Sequence, residues 1–295
     1  MSDVKKFFKK ALILLPLPLI FFGTSYLIDP SNRFQNGAYE KGLANELIKG
    51  NNVLKPLNCD ERLLQKYFVS EAVTRPDWLV LGSSHAMQIH SRHVNGTLMN
   101  NSVSAAVLED ILAITNLHET HKGLPENIII SVDAWLFNAN TGNLDWSSYA
   151  DDYYNMCKKI GIKEPHKKES PLKKYKELFS PSYFKNSYEF LLEGKNKKFT
   201  LVTTQENEQA TRLYDGSLEY DQWQRNADTT IINQKATWFT ENTPVFMFWG
   251  YSELSSEIKT NFDFYLDHLQ KEGSKITFFL APYHPIVQNH FNKNN

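Results

Sequence analysis

Hydrophobic and polar residues fall along this chain in blocks, and each block predicts an element. Lys5, Lys6, Lys9 and Lys10 precede residues 11–28, eighteen positions without a charge, and Asp29 and Pro30 close the run. Residues 29–76 then read as a polar, helix-rich lead-in. Leu43, Leu47 and Ile48 mark one short amphipathic helix, and Leu63, Leu64, Tyr67 and Phe68 mark another. Residues 77–82 read as a buried strand stopping at Ser83, Ser84 and His85, and residues 97–101 as a second strand. Ser104 is the expected N-cap of a helix running to about His121, which Gly123 and Pro125 break. Residues 127–132 form a β-branched strand that delivers Asp133 at its end. Leu254, Ile258, Phe262, Tyr265 and Leu269 mark a further helix face, and residues 275–280 a fourth strand ending at Tyr283, His284 and Pro285. Strands alternating with helices, without a period-two pattern, predict an α/β domain over residues 77–295 with a parallel sheet covered on both faces. The alternation lapses over about 134–250, an aromatic-rich stretch expected to form a cap or sidewall, with a hairpin on Asp215 and Gly216.

Charge and composition narrow this picture. Among 295 residues, 32 Lys and Arg face 33 Asp and Glu, a balance that excludes a general nucleic-acid binder. Two cysteines, Cys59 and Cys157, are too few for a disulfide scaffold or a Cys-rich zinc module, and their spacing does not demand a pair. The uncharged run meets the lower length limit of a spanning helix, and Pro16 and Pro18 are tolerated in lipid. The lysines before it orient the N-terminus to the cytoplasm, so residues 1–28 read as a tail and single-pass anchor. In a bacterium this puts the protein in the inner membrane with the bulk of the chain in the periplasm. Two other readings stay open: a signal peptide cleaved near Gly23, Thr24 and Ser25, and a buried soluble helix. The lysine-rich run over 158–176 reads as a solvated surface, with contact to an anionic glycan or lipid headgroups as the sharper alternative.

In an open parallel sheet, ligands sit at the carboxyl ends of the strands. Three such ends carry reactive groups here: Ser83, Ser84 and His85; Asp133; and Tyr283 and His284. A serine on a tight strand-to-helix turn exposes its hydroxyl beside backbone N–H groups that can hold an oxyanion. A histidine in reach can take its proton, and a carboxylate can orient that histidine. Asp133 reads either as such a carboxylate or as a turn cap. His85, His90 and His93 lack a carboxylate or cysteine at ligand spacing, so no metal and no cofactor is expected. His118 and His121 near a helix end read as dipole partners.

These blocks resemble the SGNH (GDSL-type) hydrolase superfamily. Leu79 to His85 is similar to its first block, in which Gly-Asp-Ser follows the first strand. The segment from Asn100 to Ala106 is similar to the second block, an Asn-x-x-x-Ser-Gly-like turn before a helix, and Ile130 to Asp133 stands where the third block ends the third strand. The likeness is closest to membrane-anchored SGNH-like proteins associated with bacterial surface-polysaccharide genes, which include O-acetyltransferases, acetylesterases and proteins without assigned activity. It implies a three-layer, flavodoxin-like domain with Ser84 as nucleophile and His284 as candidate base with Asp133. It further implies the N–H groups of Ser84 and Ala105 as oxyanion donors, with Asn101 and Tyr283 facing substrate. The substrate it implies is a surface polysaccharide or small acyl ester. Three departures stand against catalysis: Ala105 replaces a glycine, Val132 an oxyanion asparagine, and Ala281 the aspartate of the Asp-x-x-His block. Residues 77–295 supply four strands of an expected five, which reads as a shortened copy or a departure from the family's catalytic plan. The expected activity is therefore esterase or O-acyltransferase, with an inactive glycan-binding or assembly protein as the alternative and a purely structural membrane protein as a third.

Overall fold

The computed structural model describes residues 5, 15–29, 34, 37–54, 59–163, 165–167, 173–192, 200–202, 209–242, 248, 251 and 253–294. By contacts the chain divides into two compact units. The smaller takes in residues from 1–39, 57–60 and 169–198, and the larger residues from 40–56, 61–168 and 199–295.

In chain order the strands among the described residues are β1 (Asn52–Leu54), β2 (Trp78–Leu81), β3 (Leu98–Asn100), β4 (Asn127–Ser131), β5 (Leu201–Val202), β6 (Thr211–Arg212), β7 (Leu218–Glu219) and β8 (Lys275–Phe279). Within the larger unit they make two sheets, ordered β3-β2-β4-β8 and β5-β1-β6-β7. All pairings of the first sheet are parallel, with Leu79 opposite Met99 and Ile128, and Ile129 opposite Thr277. The pairings of the second are antiparallel. The four strands expected from the sequence are the four of the parallel sheet.

Alternation along the strands builds its core. Leu79, Leu81, Ile128 and Ile130 are fully buried on one face. Val80 and Ile129 point to the other, where they pack with Ala86 and Leu98. Helix Leu108–His121 contributes Ile111, Leu112, Ile114 and Leu117 to the interior. Helices Glu61–Glu71, Ala150–Ile160 and Ser256–Lys271 pack against it. The covering lapses at β8, where Phe278 is exposed, so the expectation of a sheet buried on both faces fails at this edge strand. The long helix begins at Leu108 rather than after Ser104, because Ser104 and Ala105 are spent in a turn. Asp110 supplies the cap instead, accepting the Val107 N–H at 2.9 Å.

The lead-in and the 134–250 stretch are each divided between the two units. Helix Ala150–Ile160 joins the helical layer, residues of 169–198 belong to the smaller unit, and Thr211–Glu219 forms the expected hairpin on the lead-in strand β1. Gly216 at its tip has a left-handed φ of 84°, and a Cβ there would lie 2.4 Å from the Asn100 carbonyl oxygen. Of the predicted membrane span, residues 11–14 lie outside the described residues. The described part is helix Pro16–Ile28, and no helix of the described residues is long and apolar enough to cross a membrane.

From β2 the chain steps to β3 on one side and then crosses back past β2 to β4 on the other, so the strand order reverses between β2 and β4. A reversal of this kind opens a crevice at the carboxyl ends of the two strands. Gly82 makes their close approach possible: its φ is 138°, and a Cβ would stand 2.4 Å from that of Ser131 on β4. Gly82→Ala is expected to cost about 2–5 kcal/mol, combining a backbone that L-residues avoid with an overpacked contact. Urea unfolding measures this, and an unshifted midpoint would show that the two strands are not so close.

Candidate functional site

Beyond β2 the chain folds into consecutive tight turns. Ala86 N–H donates to Ser83 O (3.0 Å) and Met87 N–H to Ser84 O (3.3 Å), while the buried Ser83 hydroxyl accepts the His85 N–H at 3.2 Å. Asn100, at the end of β3, donates from its amide to Ala86 O (2.9 Å) and Ile89 O (3.0 Å). The inserted hairpin braces the same turns from its tip. Leu218 N–H donates to Met87 O (2.8 Å), Asn100 N–H to Asp215 O (2.8 Å) and Ser91 N–H to Asp215 Oδ2 (2.7 Å). The result is a rigid strand-to-turn junction that leaves Ser84 half-buried and His85 exposed.

Asp133 lies across the crevice, after β4. Its Oδ1 stands 2.5 Å from His85 Nδ1, and its Oδ2 accepts the Ser131 hydroxyl at 3.3 Å. The Asp133 side chain is 6% exposed and that of His85 34%, so the pair joins a buried acid to an accessible ring. A carboxylate only accepts, so Nδ1–H is the donor and Nε2 of the neutral ring keeps its lone pair. The contact has the geometry of an acid that fixes the tautomer and orientation of an imidazole. Asp133 makes no side-chain cap bond to the turn that follows, so the turn-cap reading does not describe its contacts. Two aromatic rings flank His85: Trp135 with centroids 5.4 Å apart, and Tyr283 edge-on at 5.9 Å. Burial, and then the Asp133 charge, push the Tyr283 phenol up to about 12. Its hydroxyl is buried without a partner among the described residues.

The Ser102–Ala106 turn runs alongside, because Val103 N–H donates to Gly82 O at 3.0 Å. Ala105 has φ 53°, a left-handed backbone that costs a residue with a Cβ about 1–2 kcal/mol. Surrounding groups hold it there. Asn143 Nδ2 donates to Ala105 O (2.7 Å), Trp135 Nε1 to Ala106 O (3.1 Å) and Arg62 to Ser104 O (2.8 Å). Glu61 accepts the Ser104 N–H at 2.6 Å. Arg62 is buried and forks onto buried Asp110 at 3.0 and 3.2 Å, and Asp110 also accepts the Tyr149 hydroxyl at 2.5 Å. Burial works against the charge on Arg62, but Asp110 and Tyr149 outweigh it and its pKa is raised. Burial likewise opposes ionisation of Glu61, and Arg212 with the Ser104 N–H outweighs it, so that carboxyl stays below its usual range.

Of the residues singled out from the sequence, Asp133 and Tyr283 meet at His85, at the carboxyl ends of β2 and β4. Ser84 precedes His85, and Ala105 occupies the neighbouring turn. His284 has a local partner: its Nδ1 accepts the Ile286 N–H at 3.3 Å, at the start of helix Pro285–Asn294. Asn101 is fully buried, donating to Gln65 at 2.6 Å and lying 2.8 Å from His118 Nε2, so both ends of its amide are engaged within the fold. Val132 carries no side-chain donor, and its N–H goes to Phe279 O at 2.9 Å. His90 is buried against Ser217 at 2.7 Å, away from the Asp133 pair. Neither Cys59 nor Cys157 forms a disulfide, and burial pushes the Cys157 thiol up to about 11. Sequence reading missed His85 as the partner of Asp133, because it is the strand order β3-β2-β4-β8 that places the strands before them side by side. No sequence signal marks Arg62 or Trp135. Comparison with protein-family models, curated proteins and solved structures returns no match for this chain.

Two predictions follow from these turns and their supports. Ala105→Gly relieves the left-handed strain and loosens the unfolded chain, two effects of similar size, so stability is expected to stay level or rise by up to about 1 kcal/mol. A clear loss in thermal unfolding would contradict the left-handed assignment. His118 is pulled down to about 3 by burial and then by nearby His121, whereas the unfolded chain protonates near the ordinary 6.5. Its folded pKa is the lower of the two, so its contribution is complete above pH 6.5 and is lost as pH falls towards 3. Between pH 7 and pH 5 the stability of the wild type relative to His118→Gln is expected to fall by about 2 kcal/mol. A constant difference across that range would remove His118 as the cause.

Proposed function

We propose that this chain is an SGNH-like, membrane-anchored bacterial protein whose larger unit faces the periplasm and performs acyl-ester chemistry on a cell-surface polysaccharide. The observation that carries the reading is the 2.5 Å His85–Asp133 hydrogen bond across the β2–β4 crevice, one residue from Ser84. The order β3-β2-β4-β8, which places the first parallel strand in the chain between the second and the third as in flavodoxin-like sheets, supports it. So does the left-handed φ of Ala105, the position at which the resembled family carries glycine.

In this reading Ser84 Oγ attacks the carbonyl carbon of an acyl ester. Its proton passes to His85 Nε2, directly or through one bound water, while Asp133 holds the ring. The tetrahedral oxyanion takes the N–H groups of Ser84 and Ala105, neither of which has an acceptor among the described residues. Collapse breaks the ester C–O bond, and His85 returns the proton to the leaving alcohol. Water then releases the acyl group from Ser84 in an esterase, or a glycan hydroxyl does so in an O-acyltransferase, with His85 again the base. Trp238 stands exposed in the larger unit and can stack on a sugar ring, whereas Lys235 Nζ lies 3.8 Å over the Trp223 ring and Trp135 and Trp146 are buried.

The second reading is a glycan-binding or assembly protein without catalysis. It is favoured by Val132, which offers no third oxyanion donor, and by His284, whose ring nitrogen caps a helix. Hydrolysis of p-nitrophenyl acetate and acetylation of glycan separate the two. Ser84→Ala is expected to lower turnover by at least about 10³, His85→Gln and Asp133→Asn by about 10²–10⁴, and His284→Ala by no more than about threefold. Equal rates for wild type and Ser84→Ala would sink the catalytic reading. Glycan affinity lost in Trp238→Ala would then favour the binding protein.

A further inference from the structure

The smaller unit exposes an apolar surface that the acyl-ester reading leaves unused. Helix Pro16–Ile28 packs one face on helix Pro181–Leu192: Phe21 stacks on Phe184 with centroids 4.7 Å apart, and Phe22 meets Phe179 at 4.9 Å. Asp29 fixes the end of the first helix. It caps the helix at φ 42°, and its buried carboxylate accepts the Tyr183 hydroxyl (2.6 Å) and the Phe34 N–H (2.9 Å). Outward from this pair stand Leu17, Leu19, Leu27, Phe179, Leu191 and Leu192, each between 53% and 73% exposed. Isolated apolar side chains on a surface need no explanation, but a set contributed by two packed helices and the turn that leads into the second marks a contact.

We infer that residues 179–192 are seated in the boundary of the lipid bilayer, on the outer leaflet, against the helix that anchors the chain. This rests on reading residues 11–28 as the anchor. Three observations favour lipid as the occupant. The apolar surface is continuous with the uncharged run that follows the N-terminal lysines. The depth agrees: Phe21 lies seven residues before Ile28, about 10 Å along a helix, which sets Phe184 within the outer half of a core about 30 Å thick. The chemistry of the second helix also suits a boundary and excludes a span. It has 12 residues and carries Lys185 and Glu189, which pair at 3.6 Å on its exposed side. Lys176 is exposed ahead of the helix, where a lysine can run its stem along acyl chains and leave its ammonium group among phosphates.

The test uses the full chain in vesicles of phosphatidylethanolamine and phosphatidylglycerol containing a lipid with a diazirine in its acyl chain. After photolysis, labelled peptides are mapped by mass spectrometry. Label is expected both in residues 11–28 and in residues 179–192. A Leu191→Asp, Leu192→Asp double variant is expected to keep the first and lose about tenfold of the second, with unchanged circular dichroism. Label in residues 11–28 alone would overturn the inference and leave the anchor standing. Absence of label from both would overturn the anchor reading and the inference with it. Cross-links between two copies through residues 179–192, without acyl-chain label there, would assign the surface to self-association and overturn the inference too.

Discussion

Arg62 carries a guanidinium into a part of the larger unit almost free of water, and much of the site's geometry follows from what meets it there. Asp110 accepts its fork, Tyr149 and the Val107 N–H fill the remaining acceptor positions of that carboxylate, and the Ser104 carbonyl takes another guanidinium N–H. One ion pair therefore sets the start of helix Leu108–His121 and the path of the turn before it. Removing one partner from such a pair costs about 3–5 kcal/mol because the other is left buried and uncompensated. That is a large part of the stability of an ordinary domain. The turn it positions contains Ala105, whose backbone would otherwise relax away from its left-handed conformation. Charge buried behind the sheet is thus converted into a fixed direction for backbone N–H groups beside Ser84.

The second constraint is steric. Gly82 lets β2 and β4 end side by side, and only then can residues separated by 48 positions, His85 and Asp133, share a hydrogen bond. The pair divides its labour by exposure: the acid is enclosed and hydrogen-bonded by Ser131, while the ring reaches the surface between Trp135 and Tyr283. A buried carboxylate of this sort is stable because its charge has partners, and it can hold a ring in one tautomer without competing for water.

The parallel strands were legible because Leu79, Val80 and Leu81, and Ile128, Ile129 and Ile130, form short apolar runs bounded by turn residues. Ser84 and Asp133 were legible as residues at strand ends. Their arrangement was not, since it depends on which strands are neighbours, and the same segments in another order would have kept His85 and Asp133 apart. His284 shows the opposite case: it follows a strand and resembles a catalytic histidine, yet Pro285 starts a helix and the imidazole turns to cap it. The 134–250 stretch was read as one insertion because its aromatics have no period. Its division arises from two-residue strands whose register is set by distant backbone, as with Arg212 opposite both Val53 and Leu218.

The hairpin of β6 and β7 changes what can be removed from this protein. Its tip passes under β3 so tightly that Gly216 has no room for a Cβ, its backbone holds Met87 and Asn100 in place, and its Asp215 carboxylate holds Ser91. Its Tyr214 N–H also takes the side chain of Asn52 at 3.0 Å, tying it to a strand that precedes the parallel sheet in sequence. Segments that look peripheral along the chain are therefore foundations of the Ser84 turn. Trimming residues 134–250 to reach a minimal sheet would dismantle the junction it was meant to preserve. The smallest unit that can evolve or be engineered independently is consequently larger than the sheet, and reaches back to residue 52.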